Sequence, residues 1–128
     1  MKFTLENLMM CDYASLTNTG KLNLLGIFES FYSKETPFVY PNFFLIVDMV
    51  ADTIQDKKIK LGIKLFDPQK KNVEKQIELD HKTNAKGKIR AVLNLPNTEF
   101  KSFGDHILEI SIDGKVVGES KISVIERS

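Results

Sequence analysis

Apolar residues recur at every second position along most of the chain, in short runs separated by turn-forming residues. The clearest run covers 58–66, where Ile59, Leu61, Ile63 and Leu65 alternate with lysines and a glycine. A strand with one face in a core and the other in water has this pattern. The spacing of the runs predicts about eight short strands with turns at intervals typical of sandwiches and barrels.

Local signals mark two irregularities and one tight turn. The apolar residues of the first strand change from odd positions to even positions between Leu5 and Leu8, which predicts a bulge or bend there. Asp113 and Gly114 tolerate positive φ and predict a two-residue hairpin turn. If that turn sets the register, odd-numbered residues such as Val117 face the core at the start of the return strand. Further along, the apolar residues Ile122 and Val124 are even-numbered. A bulge near 118–120 would account for this change.

The run at 21–32 holds more apolar residues than one face of a strand can bury. One face carries Leu22, Leu24, Gly26 and Phe28, and the other carries Leu25, Ile27 and Phe31. A strand of this kind is buried on both faces for part of its length. We therefore expect cover for the second face.

The segment 33–42 is predicted to be a crossing connection, because Pro37 and Pro41 cannot donate to a strand ladder. Such a loop cannot bury all of its own aromatic side chains. Phe38 and Tyr40 are therefore the residues that we expect to contact a protein partner, since aromatic side chains dominate binding hot spots. The alternative is a loop folded over one end of the sandwich.

Together these runs predict an all-β fold of two antiparallel sheets in a sandwich with Greek-key connections, Ig-like or C2-like. The runs form one domain over 1–128, with a reversal of chain direction at 52–57. A small closed barrel is the alternative architecture.

Charge and cysteine content narrow the partners and the compartment. Eighteen Lys and Arg residues against seventeen Asp and Glu residues leave a net charge of +1, so nucleic acid is not expected as a partner. The longest apolar stretch is too short to span a bilayer, so no membrane association is expected. The single cysteine, Cys11, cannot form an internal disulfide, which favours the cytoplasm.

Nucleophilic catalysis needs a serine or cysteine beside a histidine that a carboxylate orients. Cys11 lies in a predicted strand and is expected to be a packed thiol. His106 follows Gly104 in the spacing of a sandwich corner, where it would stand in for a tyrosine that hydrogen-bonds across the turn. No catalytic residue is predicted, and the protein is not expected to be an enzyme.

The sequence also carries little signal for a metal or phosphate site. One cysteine and two separated histidines do not form a zinc site. Four aspartates lie near predicted loops, where carboxylates could bind calcium but more commonly cap turns: Asp48, Asp52, Asp67 and Asp113. No phosphate-binding glycine motif occurs. No metal and no other cofactor is predicted.

Four short motifs occur in order along the chain: Cys11-Asp12-Tyr13-Ala14, the stretch 21–28, Leu65-Phe66-Asp67-Pro68 and Ile112-Asp113-Gly114. In these the chain resembles an uncharacterised bacterial and phage-borne family of small β-sandwich proteins. The resemblance covers nearly the whole chain and implies the fold, a bacterial or phage source and no assigned activity. His106 departs from the tyrosine that the family has at this position.

The leading functional hypothesis is a non-enzymatic interaction or accessory module that binds an unknown protein partner or itself. One alternative is a small phage or virion component that self-associates through edge strands. A third is a binder of carbohydrate or a small ligand on an exposed sheet face, which needs polar groups converging in a cleft.

Overall fold

The computed structural model describes residues 2–52, 58–84 and 86–128, and these residues form nine β-strands and no helix. The strands are β1 Phe3–Leu16, β2 Leu22–Phe28, β3 Ser30–Ser33, β4 Phe38–Ala51, β5 Lys58–Phe66, β6 Val73–Lys82, β7 Lys88–Phe100, β8 Gly104–Ile112 and β9 Lys115–Glu126. No helix in this described part of the chain has the length and apolarity to cross a membrane. The all-β prediction is confirmed.

Two sheets pack face to face. The first has the strand order β2-β1-β4-β7 and the second has the order β3-β9-β8-β5-β6. The consecutive strands β4 and β5 pair with β7 and β8 in opposite sheets, which is a Greek-key type of crossing. The sandwich prediction is therefore confirmed, and its closed-barrel alternative is not the architecture observed.

The strand count and one pairing differ from the prediction. The run at 21–32 is two strands, because the chain bends at Glu29 and passes from the first sheet to the second. The new strand, β3, enters beside β9 in the same direction, so this pair is parallel in an otherwise antiparallel arrangement. The sandwich, predicted with about eight strands in two antiparallel sheets, thus has nine strands and is mostly antiparallel.

The main core lies between the sheets and takes alternate residues from strands of both. Phe43 and Leu45 of β4 meet Leu61 of β5 and Leu108 of β8, and all four are buried. Burial of each such side chain contributes about 1.5–3 kcal/mol to folding. The alternation that predicted the strands therefore also identifies the face that fills the core.

The tight turn predicted at Asp113 and Gly114 is confirmed, since both have positive φ, 51° and 84°, and their flanking residues pair. The bulge in β9 is also present. Ile110 pairs with Gly118, which leaves Val117 as the extra residue. It lies one residue before the predicted position.

The bulge predicted between Leu5 and Leu8 is confirmed, because the register of β1 against β4 shifts between Leu5 and Asn7. The reversal predicted at 52–57 lies, apart from Asp52, outside the described residues.

The prediction of a crossing connection over 33–42 is wrong, because β4 begins at Phe38 and runs through Pro41. Before Phe44, β4 pairs with β7 alone. A residue without a backbone N–H is tolerated on a strand that is paired on one side only. The proline therefore marks a stretch of strand that is paired on one side only, and not a loop.

The end of the β1–β2 hairpin leaves the first sheet and folds over its outer face. Pairing of β1 with β4 stops at Cys11, whereas pairing with β2 continues to Leu16. The hairpin end contributes to a second small core with buried Cys11, Ala14 and Ile46 and with partly buried Met9, Leu22, Leu24, Phe44 and Val92. Because side chains alternate along β4, Ile46 lies on the face opposite Leu45. The cover expected for the second face of 21–32 is found at Phe31 but not at Leu25 or Ile27, which are exposed.

Candidate functional site

The outer edge of β2 differs in composition from the other long edges of the sandwich. Within the described residues β2 pairs with β1 alone, and Leu22–Phe28 contains no charged residue and no proline. Proteins normally protect exposed edges with charges, prolines or covering segments, because unpaired N–H and C=O groups invite another strand. By this criterion β2 is an unprotected edge.

The opposite side of the sandwich shows these protections. Edge strand β6 carries the charged residues Glu74, Lys75, Glu78, Asp80 and Lys82, and edge strand β7 contains Pro96. The ammonium group of Lys75 also donates a hydrogen bond to the carbonyl oxygen of Pro96 over 2.7 Å. The two edges therefore contact each other and close that side.

Large apolar side chains are exposed beside the unprotected edge. Leu25 is 69% exposed, Ile27 is 59% exposed and Tyr13 is 54% exposed. Tyr13 lies directly opposite Leu25 in the β1–β2 ladder, and its ring also contacts Phe44 edge-on at 5.5 Å. We call Tyr13, Leu25 and Ile27 the β2 patch. Tyr13 and Leu25 are thus exposed apolar residues that neighbour each other directly.

Gly26 sets the backbone geometry at the centre of this edge. Its φ is +70°, and a Cβ placed on it would lie 2.5 Å from Oδ2 of Asp12. Asp12 is held in place because its Oδ1 accepts a hydrogen bond of 2.8 Å from the hydroxyl of Tyr40. Glycine is therefore required here both for the positive φ and for the close approach of Asp12.

Replacing Tyr40 with phenylalanine is expected to lower the free energy of unfolding by about 1 kcal/mol at neutral pH, because Asp12 loses its donor. Burial raises the pKa of Tyr40, and the hydrogen bond and charge of Asp12 raise it further. The folded state therefore retains the phenol proton longer than the unfolded state does. This stabilisation is complete below the unfolded pKa of about 10 and is lost as the pH rises above it.

Denaturant unfolding of the wild type and Tyr40→Phe from about pH 7 to about pH 11 measures this effect. The difference in unfolding free energy between the two proteins should shrink as the pH rises. A difference that stays constant over this range would contradict the assignment.

Phe38 and Tyr40, the residues expected to contact a partner, are both half-buried in β4. Both rings pack against Phe31, at centroid distances of 6.2 and 4.8 Å. Phe31 itself is buried and also contacts Phe43 and Phe100. The structure therefore places both residues in an aromatic cluster at one end of the core. Their role as partner contacts stays a prediction.

His106 is completely buried and forms the corner contact that its position predicted. Its Nε2 donates a hydrogen bond to the carbonyl oxygen of Ser102, four residues earlier, over 2.8 Å. Its Nδ1 bonds the carboxyl group of Glu74, whose side chain is 1% exposed. The second carboxyl oxygen of Glu74 accepts the backbone N–H of Lys101 at 3.2 Å. Glu74 thus links β6 to the turn between β7 and β8.

The proton count at this pair follows from the partners. Nε2 of His106 must carry a proton, because a carbonyl oxygen can only accept. The bond between Nδ1 and the carboxyl group requires one further proton, carried by either the ring or the acid. The pair is therefore neutral overall whether that proton is on the ring or on the carboxyl group. Both ring nitrogens of His106 are thus engaged by protein groups.

Cys11 is buried, and its thiol donates to the carbonyl oxygen of Tyr13 over 3.3 Å. Burial raises the pKa of this thiol, which disfavours the reactive thiolate. The packed-thiol interpretation of Cys11 is confirmed. The other histidine, His81, is half-buried, and desolvation lowers its pKa.

The four aspartates considered for calcium all have protein partners. Asp67 accepts backbone N–H groups of its own turn, chiefly that of Lys71, and these bonds lower its pKa. The other three bond residues that are distant in the sequence: Asp52 accepts a hydrogen bond from the N–H of Lys2, Asp113 accepts one from the N–H of Lys60, and Asp48 forms a two-point contact with Arg90. Turn capping is therefore observed at Asp67, whereas Asp113 bonds the neighbouring strand β5.

Sequence reasoning identified the apolar excess at Leu25 and Ile27 but expected it to be covered. The signal that it missed is the absence of charge and proline through 22–28, which contrasts with the edge strands β6 and β7. Glu74 was missed because nothing local distinguishes it from the solvent-exposed acids of the same strand.

A comparison with solved structures finds the same fold in the Pseudomonas fluorescens alkylpurine DNA glycosylase AlkC bound to DNA containing an abasic site analog. The match has a TM-score of 0.55 at 9% identity and covers 91% of this chain. This chain spans 30% of the glycosylase chain. The search of curated proteins finds no match.

The exclusion of nucleic acid as a partner on the basis of net charge is wrong, because a protein that contains this fold is solved with DNA bound. The physical reason is that net charge sums over the whole surface and does not report the field at any one face. The family comparison agrees with the uncharacterised family expected from the motifs. A family model described as a family of unknown function, DUF6941, matches residues 6–125, and the chain belongs to this family.

Proposed function

We propose that this protein is a non-enzymatic binding module that accepts an extended segment of another protein as an additional strand along β2. The observation that carries the proposal is the unprotected edge of β2, which exposes Leu25 and Ile27 and has neither charge nor proline. Strand addition uses the unpaired backbone groups for affinity and side-chain pockets for specificity.

The non-enzymatic part of the proposal draws support from the reactive side chains. Cys11 and His106 are both completely buried, and their polar atoms bond protein groups. A nucleophile or general base must reach a substrate atom within hydrogen-bonding distance. Buried groups with occupied polar atoms fit structural roles better than catalysis.

The cellular setting belongs to the same proposal. We place the protein, of bacterial or phage origin, in the bacterial cytoplasm, where Cys11, the single cysteine, stays reduced. A cytoplasmic module with an unprotected edge needs a partner that covers it, because such edges otherwise promote aggregation.

The edge is tested by replacing Ile27 with lysine, which gives β2 the protection that β6 already has. Short random peptides are selected on the immobilised wild type, and their affinities are then measured for the two proteins. We expect Ile27→Lys to weaken binding of the selected peptides by about tenfold or more. Val73→Lys is the matched control, since Val73 is 48% exposed on the edge strand β6.

The outcomes separate the surfaces and the partner classes. Peptides that bind Ile27→Lys as tightly as the wild type would overturn the assignment to β2. The DNA in the glycosylase structure makes nucleic acid the competing partner class. A DNA duplex is therefore titrated in parallel, and binding of the duplex without any selectable peptide would also overturn the proposal.

A further inference from the structure

A cleft of about 290 Å³ opens on the side of the sandwich where β2 lies. Its floor is formed by core residues, Met10, Leu45, Leu108 and Ile122, all buried. The cleft therefore connects the surface to the space between the two sheets.

Two strand edges border the mouth of this cleft. Ile27 and Phe28 of β2 lie on one side, and Ser120 and Lys121 of β9 lie on the other. In the described residues β9 pairs with β3 only from Ser123 onward, so the stretch before it is paired on one side. The cleft is thus the gap between two incompletely paired strands.

The geometry of a sheet fixes which side chain of an added strand would enter the gap. Phe28 packs against the main core, so its side chain lies on the face that points between the sheets. Residues directly opposite each other on neighbouring strands share a face. The residue of the added strand that pairs with Phe28 would therefore point into the cleft.

We infer, on the basis of the proposed strand addition, that the partner segment carries one large aliphatic side chain at the position opposite Phe28, which anchors it in this cleft. The cleft is at the lower limit of the 300–1000 Å³ typical of small-ligand sites, so it suits a side chain better than a free ligand. Its apolar floor favours leucine, isoleucine or methionine over a polar group.

The rim does not select for charge. Lys121 and Glu29 contribute opposite charges to the lining, so neither an acidic nor a basic anchor is favoured. A buried charge without a partner is costly, so a charged anchor would be rejected by the apolar floor. Specificity therefore depends on the size and apolarity of one residue.

The inference is tested with donor strands fused after Ser128 through a flexible glycine–serine linker of about 20 residues, which raises the effective concentration to the millimolar range. Each donor is a short threonine strand with one central guest residue, which is leucine, alanine or aspartate. Amide spectra identify pairing at β2, and thermal unfolding compares the guests. We expect the leucine guest to raise Tm by about 5 °C or more over the aspartate guest.

Ser120→Phe fills the mouth of the cleft and should remove the dependence on the guest, whereas the matched control Ser120→Ala should retain it. If Ser120→Phe does not fold, the order of the guests in the wild-type background decides the question. If all three guests cause the same amide shifts in β2, the anchor residue is not needed, and strand addition still stands. No shift in β2 with any guest would overturn strand addition and the anchor together.

Discussion

Replacing His106 with leucine should lower the free energy of unfolding by about 3–5 kcal/mol. The substitution leaves the carboxyl group of Glu74 buried, and within the described residues the backbone N–H of Lys101 is its remaining hydrogen-bond donor. A buried acid that loses its partner either stays charged at high cost or takes up a proton on folding. Denaturant unfolding of the variant and the wild type measures the difference.

Two further variants distinguish loss of the bond between Glu74 and His106 from simple loss of packing at His106. Glu74→Gln keeps the volume and supplies an N–H donor to Nδ1 of His106, so it should cost only about 1 kcal/mol. The double variant Glu74→Leu with His106→Leu removes both polar groups and should recover most of the loss, since an apolar pair can replace a buried ion pair. A double variant that is less stable than His106→Leu would contradict this account.

Replacing Gly26 with alanine should destabilise the protein by about 2–4 kcal/mol, the sum of a positive-φ penalty and a steric one. The new Cβ would lie 2.5 Å from Oδ2 of Asp12, so Asp12 must turn away and release the hydroxyl of Tyr40. The bend that folds the hairpin over the sheet then loses its fixed geometry. Denaturant unfolding curves measure the loss of stability, and the affinity for the selected peptides measures whether the β2 edge still binds.

Gly20 and Gly114 provide matched controls, because both have a φ of +84° and a Cβ at either would meet no atom within 4 Å. Alanine at these positions should show the backbone penalty alone, about 1–3 kcal/mol. In an Asp12→Ala background, Gly26→Ala should cost no more than these controls. An unchanged cost in that background would show that Asp12 is not the source of the steric conflict.

Features with local causes could be predicted from the sequence. The tight turn at Asp113 and Gly114 depends on positive φ, and the alternating strand at 58–66 depends on burial of one face, so both follow from neighbouring residues.

Features with distant causes could not be predicted. Pro41 predicted a loop because the sequence does not show that this part of β4 is paired on one side only. Leu22 and Leu24 were placed on one face with Phe28, but the bend at Gly26 sends them into the second core while Phe28 packs in the first. Both cases require knowledge of which strands become neighbours.

The central claim is that β2 accepts a strand from a partner, and hydrogen exchange of the backbone amides tests it most directly. Exchange is measured for the isolated protein and for its complex with a peptide selected on the wild type. We predict slower exchange within Leu22–Phe28 in the complex and unchanged exchange in the protected edge strands β6 and β7. Unchanged exchange in β2, with slowing at another surface, would contradict the account.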